Sequence, residues 1–239
     1  MSVIDTVRLE DGSGDMRGDA AILYEKIFDD DPEREMYYNL LDEVQSNLTV
    51  GTVEVFGTHR ERRMTCSYST TGMSFTYSGR KVEPHTPQEG GLIGILFECI
   101  NHDEIKELFR EISNVELPEF NTVFINWYRP PDHESRANET KPDGLGWHAD
   151  DERSHRSQII LSMTFCEKNG ERFFEMRPKH LKSGCSWKYE LPHQSVLLML
   201  PGCQNAYKHR VSDRVTNSER KKITGGRLNL TFRALSPLE

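Results

Sequence analysis

The sequence predicts an α+β domain with a jelly-roll core (a double-stranded β-helix) buttressed by N-terminal helices. Two observations predict it. Apolar residues recur at helical spacing through the first half of the chain, whereas the second half divides into short β-rich runs separated by polar turns. Helices followed by many short strands fit an architecture in which helices cover one sheet of a β-sandwich. With 239 residues the chain is long enough for one full-sized core and short for two.

Taken in order, residues 1–19 are rich in Gly and Asp and read as a flexible leader outside the fold, leaving 20–239 as a single domain. Within 20–48, Ile22, Leu23 and Ile27 predict a short helix. Met36, Tyr37, Leu40, Leu41 and Val44 predict a longer one beyond Asp31-Pro32, since a proline can open a helix. Strand-like pieces follow at 53–56 and 73–77. Residues 87–112 carry Leu92, Leu96, Cys99 or Ile100, then Ile105, Leu108 and Phe109 on helical faces, with a break at Asn101-His102-Asp103. The core strands, all within 120–235, are expected at 122–128, 158–165, 172–176, 195–200, 206–211 and 227–233. Residues 129–146 form a polar loop long enough to suggest function or disorder.

Composition narrows the function classes. No run of 18 apolar residues and no charged leader before an apolar stretch occur, so a membrane span and a secretory signal are not expected, and the chain reads as soluble and intracellular. The five cysteines are scattered, odd in number and without a Cys-x-x-Cys pair, which argues against a zinc ribbon and a disulfide framework. A net charge of −8 argues against binding nucleic acid through overall charge, although 59–63, 177–188 and 208–222 are locally basic.

The chemistry concentrates in His148-Ala149-Asp150, joined 59 positions after Asp150 by His209. In an extended segment His-x-Asp places both side chains on one side, and a neighbouring strand can supply the distant histidine. Two imidazoles and one carboxylate cap one face of an iron ion and leave three positions open for a bidentate co-substrate and dioxygen. Alone, the pattern also fits ordinary surface or core histidines. The strand over 227–233 adds weight, because Arg227, Asn229, Thr231 and Arg233 share one side and Leu228, Leu230 and Phe232 the other. Buried arginines need anions, and guanidinium groups fork onto the carboxylates of a dicarboxylate. An edge strand with its arginines in water is the bland alternative. Asn126 and Tyr128 share a face and can hydrogen-bond the same co-substrate, or simply pack.

Together these residues resemble the AlkB family of Fe(II)- and 2-oxoglutarate-dependent dioxygenases, and in particular its eukaryotic DNA- and RNA-repair branch. The resemblance spans 53–233 and rests on Asn126-x-Tyr128, His148-x-Asp150-Asp151-Glu152, the segments 159–165 and 172–177, His209-Arg210-Val211 and the Arg-x-Asn-x-Thr-Phe-Arg ending. It implies that His148, Asp150 and His209 hold iron and that Asn126, Tyr128, Arg227, Asn229 and Arg233 hold 2-oxoglutarate. It further implies a nucleotide-recognition lid over 53–85 carrying Arg63, Tyr68 and Tyr77, with Trp147 and Glu152 also meeting the substrate. The implied reaction uses Fe(II), 2-oxoglutarate and O2 to demethylate bases such as 1-methyladenine or 3-methylcytosine, releasing succinate, CO2 and formaldehyde. The implied partner is alkylated DNA or RNA, approached by a monomer.

Two departures sit in substrate-facing parts. Tyr68-Ser69-Thr70 stands where the family often has Tyr-Gly-Asp, and the loop between Tyr128 and Trp147 is longer than usual. They leave open the same chemistry on regulatory RNA, a protein side chain or a small molecule, and a non-catalytic binding module.

Overall fold

The computed structural model describes residues 3–10, 16–24, 28, 31–54, 58–77, 80–136, 142–150, 159–181, 187–212 and 222–236. The chain opens with a hairpin of β1 (Val3–Glu10) and β2 (Met16–Tyr24), then helix α1 (Glu35–Val44). A hairpin of β3 (Thr49–Glu54) and β4 (Thr58–Ser69) follows, then a short one of β5 (Phe75–Tyr77) and β6 (Arg80–Val82), then α2 (Leu92–Asn101) and α3 (Asp103–Ser113). Next come β7 (Thr122–Tyr128), β8 (Leu145–His148), β9 (Ile160–Cys166), β10 (Arg172–Pro178), β11 (Trp187–Leu191) and β12 (Val196–Met199). The short helix α4 (Pro201–Ala206), β13 (Tyr207–Val211) and β14 (Arg227–Arg233) complete the chain.

The strands form an eight-stranded sheet in the order β1-β2-β12-β9-β14-β7-β4-β3, a four-stranded sheet in the order β11-β10-β13-β8, and the β5-β6 hairpin. All their pairings are antiparallel. Side-chain alternation gives the large sheet two different faces. Tyr68, Val123, Ile125, Trp127, Leu161, Met163, Phe165, Leu228, Leu230 and Phe232 share one apolar cluster with Tyr37, Leu40 and Val44 of α1 and Ile93, Leu96, Phe97 and Ile100 of α2. The other face of β7, β9 and β14 carries Asn126, Tyr128, Ser162, Thr164, Arg227, Asn229, Thr231 and Arg233, all buried. Further along, Ile160, Leu197 and Met199 of the large sheet pack on Phe174, Met176, Leu191 and Tyr207 of the small one. This mostly antiparallel arrangement with few helices fits the jelly-roll expectation.

Local chemistry fixes the helices. The Asp31 carboxylate accepts the backbone N–H groups of Glu35 and Met36 at 2.8 and 3.0 Å, which starts α1 just past Pro32. Glu43 of α1 accepts the N–H groups of Leu92 and Ile93 at the start of α2, tying the two helices together. The expected break at 101–103 falls at His102, between α2 and α3. Gly226 precedes β14 where an added Cβ would collide with the Tyr37 hydroxyl, so α1 seats directly on the backbone.

Several elements differ from the sequence reading. Residues 3–10 and 16–24, read mainly as a leader, are strands, and β2 pairs with β12 to extend the large sheet. The short helix expected over 22–27 is corrected with it: Ile22 and Leu23 lie in β2, paired with Leu198 and Leu197, and Ile27 lies outside the described residues. The free edge of β12 offers a ladder of hydrogen bonds that local apolar spacing does not reveal. Within 53–85, β4 is an integral strand of the large sheet, paired with β7. Among the described residues no helix is long and apolar enough to cross a membrane.

Candidate active site

The small sheet brings the two histidines together. His148 on β8 and His209 on β13 are directly opposed partners across an antiparallel pair, with ring centroids 4.2 Å apart. Asp150 lies two residues beyond His148, and one ligand atom from each of the three lies within 4.8 Å of the others. Asp150 carboxylate oxygens are 3.7 Å from His148 Nε2 and 3.5 Å from His209 Nε2. Both Nε2 atoms therefore converge on the carboxylate, as a facial set of metal ligands requires.

The surroundings hold these groups in ligand form. His148 Nδ1 donates to the Gly146 carbonyl at 2.8 Å, which fixes the tautomer that leaves Nε2 as the free lone pair. The Gln204 side chain of α4 accepts the Asp150 backbone N–H at 2.9 Å, and Phe174 stacks on the His209 ring. Burial and the neighbouring His209 push the His148 pKa down to about 3. Burial alone would raise the Asp150 carboxyl, but Arg233 at 3.2 Å and the two histidines hold it well below the usual carboxylate range. The His148 imidazole held neutral beside an ionised Asp150 carboxylate, with the His209 ring opposite, is a donor set for a divalent cation.

Facing them, the large sheet presents the second set. One pocket is lined by His148, Asp150 and His209 from one side and by Asn126, Tyr128, Arg227, Asn229 and Arg233 from the other. Asn229 is the register partner of Asn126, and Arg227 of Tyr128. Arg227 Nη2 donates to Thr164 Oγ1 and to Asn229 Oδ1 at 2.9 and 2.7 Å. Its Nε and Nη1 are buried without a hydrogen-bond partner among the described residues. A carboxylate suits such a group, so the residues present fit a dicarboxylate as well as a metal. The apolar walls are Phe124, Leu145, Phe174, Met199 and Val211.

The residues expected to meet substrate divide. Tyr77 lines the pocket, and burial pushes its hydroxyl up to about 12. Arg63 is buried and engaged: Nε donates to Asn126 Oδ1 at 2.6 Å, Nη2 donates to Tyr77 Oη at 2.8 Å, and it pairs with Glu61 at 3.0 Å. Tyr68 stands apart from the pocket. Alternation along β4 turns it away from Arg63 into the cluster shared with the helices, where its hydroxyl accepts Asn47 Nδ2. Trp147 likewise alternates with His148, is not among the residues lining the pocket, and has the guanidinium groups of Arg177 and Arg210 at 4.4 and 4.7 Å from its ring centre. Glu152 lies outside the described residues. Sequence reasoning missed Gln204, which carries no local signal, and Phe174, which stood in a quoted segment without a role.

Comparisons with known proteins agree with this geometry. A family model described as the 2OG-Fe(II) oxygenase superfamily, whose members use Fe(II), 2-oxoglutarate and O2, matches residues 22–233. The chain is 28% identical over 190 residues to the DNA oxidative demethylase ALKBH2 of Bos taurus, a match that covers 77% of this chain and 58% of that protein. The chain thus spans little more than half the length of that curated relative. The solved structure of OsALKBH1 is similar in fold, with a TM-score of 0.56 over 90% of this chain and 97% of that one, at 18% identity. With the His-Asp-His cluster and the Asn-Tyr-Arg-Asn-Arg wall meeting in one pocket and the family model matching most of its length, the chain belongs to the 2OG-Fe(II) oxygenase superfamily and is similar to the AlkB homologues just named.

Proposed function

We propose that this protein oxidatively demethylates alkylated nucleic-acid bases of the 1-methyladenine and 3-methylcytosine type, releasing succinate, CO2 and formaldehyde. The observation that carries the reading is a pocket in which a His-Asp-His set on one side faces an Asn-Tyr-Arg-Asn-Arg set on the other. His148, Asp150 and His209 hold the iron, with the Gly146 carbonyl and Gln204 fixing the first two ligands. Asn126, Tyr128, Arg227, Asn229 and Arg233 hold 2-oxoglutarate by charge-assisted and neutral hydrogen bonds. When bound, iron, 2-oxoglutarate and O2 together supply the oxidation of a C–H bond in the alkyl group.

The chain's own residues do the rest. Helices α1 and α2 share an apolar cluster with β7 and β14, a packing that would keep the co-substrate groups on rigid elements. Arg63 accounts for the Asn126 carbonyl oxygen and so turns its amide donors toward the pocket. Phe124, Leu145, Phe174, Met199 and Val211 limit water around the reacting carbon. Tyr77 presents an aromatic ring at the wall, and on the far face of the small sheet Arg177 and Arg210 both approach the Trp147 ring, a pairing of cations with an aromatic plane suited to a nucleic-acid strand. The DNA demethylase activity named for the bovine relative supports a nucleic-acid substrate.

The test is mass spectrometry of DNA and RNA oligonucleotides carrying 1-methyladenine or 3-methylcytosine, incubated with Fe(II), ascorbate and 2-oxoglutarate. Loss of the methyl mass only when iron and 2-oxoglutarate are both present is expected. Succinate formation without demethylation of any oligonucleotide would overturn the substrate while leaving the oxygenase.

A further inference from the structure

Along β10, Arg172, Phe174 and Met176 share one face. Phe174 lines the active-site pocket and Met176 packs between the sheets, so Arg172 also looks into the interior of the sandwich. It is only 1% exposed, and none of its three guanidinium nitrogens has a hydrogen-bond partner among the described residues. A fully buried arginine is ordinarily paired, because desolvating the charge is costly without an anion.

What surrounds it sharpens the point. Arg227 reaches the same region from the large sheet, stacked on Tyr128 with its guanidinium carbon 5.2 Å from the ring centre. Burial and then the like charge of Arg227 push the Arg172 pKa down to about 10. The carboxylate closest in influence, Asp143, is already bonded to Arg129 and Arg136. Arg172 and Arg227 are thus two buried like charges from opposite sheets, and the guanidinium nitrogens they leave without a partner among the described residues suit an anion between them. β14 runs from Arg227 to Arg233, and Arg233 is the one beside Asp150. Arg227 therefore marks the end of the pocket away from the metal ligands, where the far end of a chelated 2-oxo acid would arrive.

We propose that Arg172 and Arg227, one from each sheet, jointly seat the distal carboxylate of 2-oxoglutarate, which makes Arg172 a co-substrate-binding residue. The inference rests on the co-substrate placement proposed above. Two forked guanidinium groups select a planar carboxylate over a neutral chain end, so Arg172 contributes to the preference for a dicarboxylate over a simple 2-oxo acid.

The experiment is calorimetric titration of the Mn(II)-loaded full chain, without oxygen, with 2-oxoglutarate and with 2-oxopentanoate, which carries a methyl in place of the distal carboxylate. Arg172→Met should weaken 2-oxoglutarate binding at least tenfold, leave 2-oxopentanoate binding unchanged, and keep or raise the metal-free melting temperature, because an unpaired buried charge has gone. Arg172→Lys, which retains charge without the fork, should fall between and serves if the Met variant does not fold. Unchanged 2-oxoglutarate affinity in a folded variant, or equal loss for both acids, would overturn the proposal. Chloride that raises the melting temperature of the wild type and not of Arg172→Met, with 2-oxoglutarate affinity unaltered, would assign the seat to an inorganic anion and overturn it too. A wild type that binds neither acid would instead refute the co-substrate placement itself.

Discussion

Replacing Asp143 with asparagine tests how the buried arginines behind the pocket are held. The Asp143 carboxylate accepts the Arg129 backbone N–H at 2.8 Å, Arg129 Nε at 2.9 Å and Nη2 at 3.1 Å, and lies 3.3 Å from Arg136 Nε. Both Asp143 and Arg129 side chains are fully buried. Removing one partner of such a pair leaves an uncompensated charge, at a cost of about 3–5 kcal/mol. Asparagine keeps the shape and one acceptor oxygen, which places the expected cost near the lower end. In a domain of this size 1 kcal/mol moves the melting temperature by about 2–4 °C, so Asp143→Asn should melt roughly 6–12 °C lower. Scanning calorimetry of the metal-free protein reads this directly. The cost should shrink by about 0.5–3 kcal/mol in an Arg172→Met background, since one of the cations that Asp143 offsets is then absent. A melting temperature within about 2 °C of wild type, or a cost identical in both backgrounds, would refute the electrostatic account.

Further predictions concern the ligands and the sheet margin. His148→Ala and Asp150→Ala should each lose Mn(II) binding and iron-dependent turnover with the circular-dichroism spectrum retained; normal turnover in either would refute the ligand set. Gln204→Ala removes the acceptor for the Asp150 backbone N–H and should weaken Mn(II) affinity about 10–100-fold, read by titration. His193 Nδ1 accepts the Cys166 N–H at 3.1 Å, and Nε2 lies 3.1 Å from Asp31 Oδ2. Burial first and Arg34 next lower its pKa, so the folded state binds fewer protons than the unfolded one. That contribution is full above about pH 6.5 and is lost as pH falls below it. Asp31, also lowered, adds its own loss only below the ordinary carboxylate range. His193→Gln should therefore flatten the fall in melting temperature between pH 7 and pH 5, and parallel curves for the two proteins would rule this out.

Where the sequence was legible, a single physical pattern governed the segment. The expected bounds 122–128 and 227–233 coincide with β7 and β14 because β14 alternates strictly between an apolar and a polar set, and β7 is a run of β-branched and aromatic residues that keeps the same alternation except at Phe124. The same alternation put Asn126, Tyr128, Arg227, Asn229 and Arg233 on one wall. The metal set was legible because His-x-Asp on an extended segment needs only one distant histidine, and β13 supplies His209 by pairing with β8. Legibility ended where pairing with a distant strand decides the outcome. Ile22 and Leu23 satisfy helical spacing as well as strand pairing, and the β12 edge settles it. Tyr68 was assigned a role by motif while the parity of β4 turns it toward the helices. Gln204 acts through a contact 54 positions from Asp150 that no local pattern encodes.

The hairpin at the start of the chain has a consequence for handling this protein. β12 is a run of four buried residues, Val196–Met199, shielded on one margin by β9 and on the other only by β2. Stripped of that cover, its outward amide and carbonyl groups would template any extended segment that met them, including another copy of the same chain. Among the described residues, none that lines the pocket lies before Tyr77. A version shortened to begin after Tyr24 would therefore keep its chemistry on paper and become adhesive in the tube, and its failure in an assay would say nothing about catalysis.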